Sequence, residues 1–143
     1  MKIHYLFIAM FLLVGCSQSI DVPKDKYGLL LNMGKIEKTV SGPATIEKGF
    51  IFEQVKFINK KDTLELARGK FVVHYSVKEP ERYYQKIGSS CQFYRLVEKE
   101  LARYALDGKV VNTHVLLFEM IEGMGLPIVL DKVTDVDVEI MEL

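Results

Sequence analysis

The feature that most constrains the fold is a change of period at Lys78-Glu79-Pro80. Before it, Phe71-Val72-Val73-His74-Tyr75-Ser76-Val77 alternates, with Phe71, Val73, Tyr75 and Val77 on one side of a strand rich in branched and aromatic residues. After it, apolar residues recur at helical spacing. Pro80 suits the first turn of a helix over Glu81 to Ile87, because its missing N–H costs nothing there, and Gly88 suits the position just past the end. Ser89 with Gln92 has the form of a capping box opening a second helix. In that helix Phe93, Leu96, Val97, Leu101, Tyr104 and Ala105 form a packing stripe, while Gln92, Arg95, Lys99 and Arg103 fall outside it. Asp107-Gly108 ends it, and a third helix is expected over Thr113 to Glu122, stopped by Gly123 and Gly125.

Upstream of the change, Tyr27 to Met33 reads as a strand with Tyr27, Leu29, Leu31 and Met33 on one face. Gly34-Lys35 offers a tight turn into Ile36 to Val40, so these two runs predict a hairpin. Ser41-Gly42-Pro43 and Gly49 interrupt the pattern. Phe50 to Ile58 and Thr63 to Leu66 are further strands, joined by a charged turn at Asn59-Lys60-Lys61-Asp62. A closing strand is expected where Val136, Val138 and Ile140 alternate with Asp135, Asp137 and Glu139. Strands first, helices next and a strand last predict an α+β fold, with helices packed on one side of a mixed or antiparallel sheet.

The chain's start does not belong to that fold. Lys2 precedes an uncharged apolar run from Tyr5 to Gly15, the layout of a secretory signal peptide. The run is shorter than the roughly 20 residues a membrane helix needs. Polar Ser17-Gln18-Ser19 does not extend it. Leu13-Val14-Gly15-Cys16 resembles the bacterial lipobox, which implies cleavage between Gly15 and Cys16 and a diacylglycerol thioether on the Cys16 sulfur. Two or three acyl chains, at about 0.8 kcal/mol per buried methylene, anchor far more durably than one. The organisation expected is a signal peptide over residues 1–15, a polar lipidated tether over 16–26 containing Pro23, and one domain over 27–143. Ser17 after the cysteine, rather than aspartate, favours the outer membrane where the host has two.

Charge and chemistry narrow the function classes. Lysine plus arginine equal aspartate plus glutamate at 19 each, so no basic surplus exists to neutralise a nucleic-acid backbone. His4 leaves with the leader, and neither His74 nor His114 stands in metal-ligand spacing with another residue. No Cys-x-x-Cys, Gly-x-Ser-x-Gly or phosphate-binding loop occurs. No nucleophile, base and orienting group can be assembled, so the chain reads as no enzyme, with no metal and no cofactor. Alternating Asp135, Asp137 and Glu139 read as the solvent face of an edge strand rather than a calcium site. With Cys16 lipidated, Cys91 has no disulfide partner and is expected as a half-buried apolar thiol. Tyr83 and Tyr84 are the candidate partner contacts, one of them expected to pack and the other to stay open.

These residues resemble a known family, the SPFH superfamily of stomatin, prohibitin, flotillin and the bacterial HflK and HflC proteins. The run from Tyr27 to Lys35 is similar to the family's opening strand and turn. Ser41-Gly42-Pro43-Ala44-Thr45-Ile46, then Phe50-Ile51 and Gln54-Val55, resembles its Gly-Pro-Gly-Leu-His and Pro-Phe-Ile segment. Asp62 to Leu66 matches the next strand, and Phe71 to Tyr84 resembles the strand and helix start of the HflC branch. The chain departs from the pattern at Ala44 and in the short stretch between Leu66 and Phe71, and it stops where family members begin a coiled coil. The resemblance implies a minimal SPFH-like domain that acts as a non-catalytic scaffold or adaptor at a membrane of the cell envelope. Its implied partners are the membrane through the lipid, other SPFH proteins, a protease of the FtsH type, or a second copy of the chain. The alternative is an independent envelope lipoprotein that binds a small ligand or inhibits an envelope enzyme. A deep apolar pocket would favour that alternative, and an exposed apolar strip the adaptor.

Overall fold

A computed structural model describes residues 17–49, 51–66, 70–106 and 112–135. The chain is α+β and divides into two compact units, Met1–Phe57 and Ile58–Leu143. The signal peptide, Gly15, Cys16, Phe50, the Asp107-Gly108 stop, and Asp137 and Glu139 lie outside the described residues.

The first unit is built from strands β1 (Gln18–Val22), β2 (Lys26–Asn32), β3 (Lys35–Ser41), β4 (Ala44–Lys48) and the larger part of β5 (Glu53–Asn59). β1 and β4 pair antiparallel, and β2 lies between β3 and β5 in a second sheet. The expected hairpin forms: Asn32 pairs with Lys35, leaving Met33 and Gly34 as a two-residue loop with φ of 49° and 82°. Two successive positive φ values are the mirror-image turn whose twist matches a hairpin.

Three expectations change here. Gln18–Val22, read from composition as part of a tether, is a strand whose Val22 is buried with Leu30 and Ile46, with Val40 and Val55 packed against them. Leu29, Leu30 and Leu31 are all buried, so β2 is covered on both faces, and a register shift between Leu30 and Leu31 breaks its alternation. Met33 accordingly leaves the expected core face for the turn. Two glycines permit the close packing. A Cβ on Gly28 would stand 2.7 Å from a Val22 methyl, and one on Gly42 would stand 1.7 Å from the Pro23 carbonyl oxygen.

The second unit holds β6 (Lys61–Leu66), β7 (Phe71–Val77) and β8 (Ile128–Asp135), antiparallel in the order β6-β7-β8. Its helices are α1 (Pro80–Lys86), α2 (Ser90–Leu106) and α3 (Thr113–Gly123). The expected mixed or antiparallel sheet is antiparallel, divided into three separate sheets. The charged turn shrinks to Lys60, because Lys61 and Asp62 already belong to β6, and β5 and β6 lie in different sheets. β8 begins at Ile128, upstream of the expected closing strand.

Leu64 and Leu66 of β6 and Val73, Tyr75 and Val77 of β7 form the buried face, while Lys61, Thr63 and Glu65 on the opposite face are exposed. α2 packs against β6 and α3 against β8, and α2 buries Phe93 and Val97 of its predicted stripe. The caps follow the sequence. Pro80 occupies the first turn of α1, and Gly88 takes φ of 88° just beyond its end. Ser89 Oγ accepts the Gln92 N–H at 3.3 Å, and Asn112 Oδ1 accepts the His114 N–H at 2.9 Å to open α3. Each satisfies a helix-terminal donor that has no partner inside its helix.

Candidate functional site

Tyr83 and Tyr84 separate as one packed and one more open residue. Tyr83 is 3% exposed, and its hydroxyl lies 3.3 Å from that of Tyr75, one phenol donating to the other. Tyr75 in turn meets Phe93 edge to face, with ring centroids 5.0 Å apart and planes at 71°. β7, α1 and α2 are thus joined through three rings and one hydrogen bond. Burial holds both phenols above their ordinary titration range: removing the ring oxygen from water disfavours the phenolate, and the negative charge of Asp62 adds to this. Tyr83 is therefore a core residue, whereas Tyr84 is half-buried.

The polar face of α1 is also engaged. Arg82 pairs with Glu79 at 2.8 Å and donates to the Gly125 carbonyl at 3.2 Å. Lys86 Nζ donates to the carbonyls of Met124 and Gly125 at 3.4 and 3.3 Å. Two cations thus hold the turn that follows α3, where carbonyls lack helical partners.

A cleft of about 520 Å³ in the second unit is lined by Lys61, Asp62, Thr63, His74, Tyr75 and Asp131. Asp131 reaches it through an irregularity in the ladder. His74 pairs with Lys132 and Tyr75 with Leu130, which leaves Asp131 as the extra residue of β8, its carboxylate accepting from Ser76 Oγ. A bulge of this kind re-aims a side chain out of the ordinary alternation. Asp62 accepts the Thr63 N–H at 2.9 Å and the Asn59 amide at 3.3 Å, so part of its acceptor capacity is spent on the local turn. The lining offers hydrogen bonds of both signs to a small polar group. Among the described residues no cluster of histidine, cysteine and acidic side chains could hold a metal ion.

Cys91 is exposed, not half-buried, because it lies off the Phe93–Val97 stripe of α2. His114 is exposed at the start of α3. Beyond it, α3 leaves Val115 and Phe118 at 48% and 50% exposure, three residues apart on a helix that otherwise buries Leu116, Leu117, Met120 and Ile121. Among the described residues of the first unit Met33, Ile51 and Phe52 are the most open large apolar residues, at 82%, 92% and 70%. Sequence reasoning missed these three. Ile51 and Phe52 read in sequence as part of a strand over Phe50 to Ile58, whereas the strand begins at Glu53. No helix among the described residues is long and apolar enough to cross a membrane. A scan against protein-family models finds no match to this chain, and a search of curated proteins finds no similar sequence.

Proposed function

We propose that the chain is a lipid-anchored, non-catalytic adaptor at a membrane of the cell envelope. Leu13-Val14-Gly15-Cys16 supports the anchor, and the SPFH-like order of motifs supports the adaptor class. The observation that carries the choice of adaptor over ligand-binding lipoprotein is the exposed Val115–Phe118 pair on α3, taken together with the mainly charged and polar lining of the cleft between the strands. A small lipophilic ligand would need an enclosed apolar cavity. A protein partner needs an exposed apolar anchor with a polar rim, and Glu119 and Glu122 are exposed beside Val115 and Phe118. The partners proposed are other SPFH-type proteins or a membrane protease of the FtsH type. Lipidation confines such encounters to a surface and raises the effective concentration without new contacts.

Extraction of the full-length chain in mild detergent, followed by sizing and identification of its companions, tests the reading. A defined complex that dissociates in Phe118→Glu is the expected result. A lone monomer in the unaltered protein would overturn the adaptor function.

A further inference from the structure

We propose that Met33, Ile51 and Phe52 form an apolar tip that enters the interfacial layer of the phospholipid bilayer, giving the first unit a second hold on the membrane beside the lipid. Three observations converge on it. The first is exposure combined with order. The Met33 N–H donates to the Phe52 carbonyl at 3.4 Å, which ties the β2–β3 turn to the loop between β4 and β5. The Gly49 N–H donates to the Glu53 carboxylate and closes that loop at its base. The three side chains at 82%, 92% and 70% exposure are therefore presented by two turns fastened to each other rather than scattered over the surface. Isolated exposed apolar residues need no explanation, but a grouped apolar tip does.

The second observation is where the chain comes from. The β1–β4 register places Gln18 opposite Lys48, so β1 begins at the same end of the unit as the loop carrying Ile51 and Phe52. Cys16 is two residues before Gln18. Two residues of chain reach at most about 7 Å. A lipid on Cys16 would therefore enter the bilayer from the end of the unit at which β1 begins. The inference rests on the lipid-anchored reading for this orientation alone.

The third observation is charge. Lys35 follows the Met33–Gly34 turn and Lys48 immediately precedes Gly49, so a lysine flanks each of the two turns. Acids stand near both turns as well: Glu53 accepts the Gly49 N–H and Glu37 accepts from the Asn32 side chain. Apolar residues flanked by lysine are the composition that settles at an anionic headgroup boundary. A protein partner would need a complementary pocket. A bilayer needs only an apolar projection, which Met33, Ile51 and Phe52 supply, with Lys35 and Lys48 standing among Glu37, Glu47 and Glu53 at its base.

The chain contains no tryptophan, so Phe52→Trp introduces a single indole reporter at an exposed position. The full chain carrying this change is combined with vesicles of phosphatidylcholine and phosphatidylglycerol, with and without brominated phosphatidylcholine. Acylation of Cys16 is read separately by mass spectrometry. The expected result is a blue-shifted emission that loses most of its intensity to the brominated lipid, and Ile51→Glu in the same chain abolishes that loss with an unchanged far-UV circular dichroism spectrum. An indole that keeps a water-like emission and escapes quenching, in an acylated and vesicle-bound chain, overturns the tip and leaves the anchor standing. An unacylated Cys16 overturns the anchor; quenching on adding vesicles to that chain supports the tip, and its absence overturns the tip too. A blue shift that grows with protein concentration without lipid shows a second copy covering the tip and overturns the proposal.

Discussion

Replacing Tyr75 or Tyr83 by phenylalanine removes one oxygen from a buried pair whose hydroxyls lie 3.3 Å apart. Either single change leaves the other hydroxyl stranded in a site that is 0% or 3% exposed. No buried side-chain polar atom among the described residues lacks a partner, so the pair is satisfied only as a pair. Stranding one member costs about 1–3 kcal/mol, whereas removing both leaves an apolar contact of nearly the same shape at little cost. The two changes should therefore be non-additive, with the double variant more stable than the sum of the singles by at least about 2 kcal/mol. With a urea slope near 2 kcal/mol per molar, each single variant should lower the denaturation midpoint by about 0.5–1.5 M.

Alkaline titration gives an independent reading of the same pair. Both phenols are raised in the folded chain, mainly by burial. Below about pH 10 folded and unfolded chains both keep these protons, and the contribution to stability is fully present. Above that, the unfolded chain releases them first, and stability falls by about 1.4 kcal/mol per pH unit per tyrosine until the folded phenols titrate. The double variant should lose this part of the alkaline slope. Single effects that add within about 0.5 kcal/mol, or an alkaline slope unchanged in the double variant, would refute the reasoning.

Gly42→Ala should destabilise the first unit by at least about 2 kcal/mol, since the new Cβ would lie 1.7 Å from the rigid Pro23 carbonyl oxygen; loss of its thermal transition relative to the unaltered chain is the check. Asn112→Ala should cost about 1 kcal/mol in urea denaturation by removing the acceptor of the His114 N–H at the start of α3. Cys91, exposed in the first turn of α2, should react fully with a maleimide under native conditions, at a rate little changed by denaturant; protection in the native state would show that something covers it.

What could be read from residues alone was whatever depends on neighbours along the chain. Pro80, Gly88 and Ser89 act on backbone groups a few positions away, so the limits of α1 and the start of α2 were legible. The stripe from Phe93 to Val97 likewise depends only on helical period, and the same geometry placed Cys91 off it, a consequence that composition-based reasoning about a thiol overlooked. β1 was hidden because Gln18–Val22 has one fully buried residue in a short polar stretch next to Pro23, and only its pairing with β4 makes it a strand. Leu29-Leu30-Leu31 is a continuous apolar run, the mark of a strand covered on both faces, but a period of two imposed on it sent Met33 to the wrong side. The cleft depends on a register shift between two strands that are more than fifty positions apart in sequence, so Asp131 carried no local sign of its place beside His74 and Tyr75.

The central claim is that the folded chain is held at a membrane by lipid on Cys16, with β1 starting immediately behind it. The most direct test is the mass of the N-terminal peptide from the mature protein, purified from membranes of a bacterial host. The account predicts a chain that begins at Cys16 and carries a diacylglyceryl group on its sulfur, and a Cys16→Ser variant that lacks this group and is not processed. A mature protein that begins elsewhere, or one that begins at Cys16 with a free thiol, would contradict it.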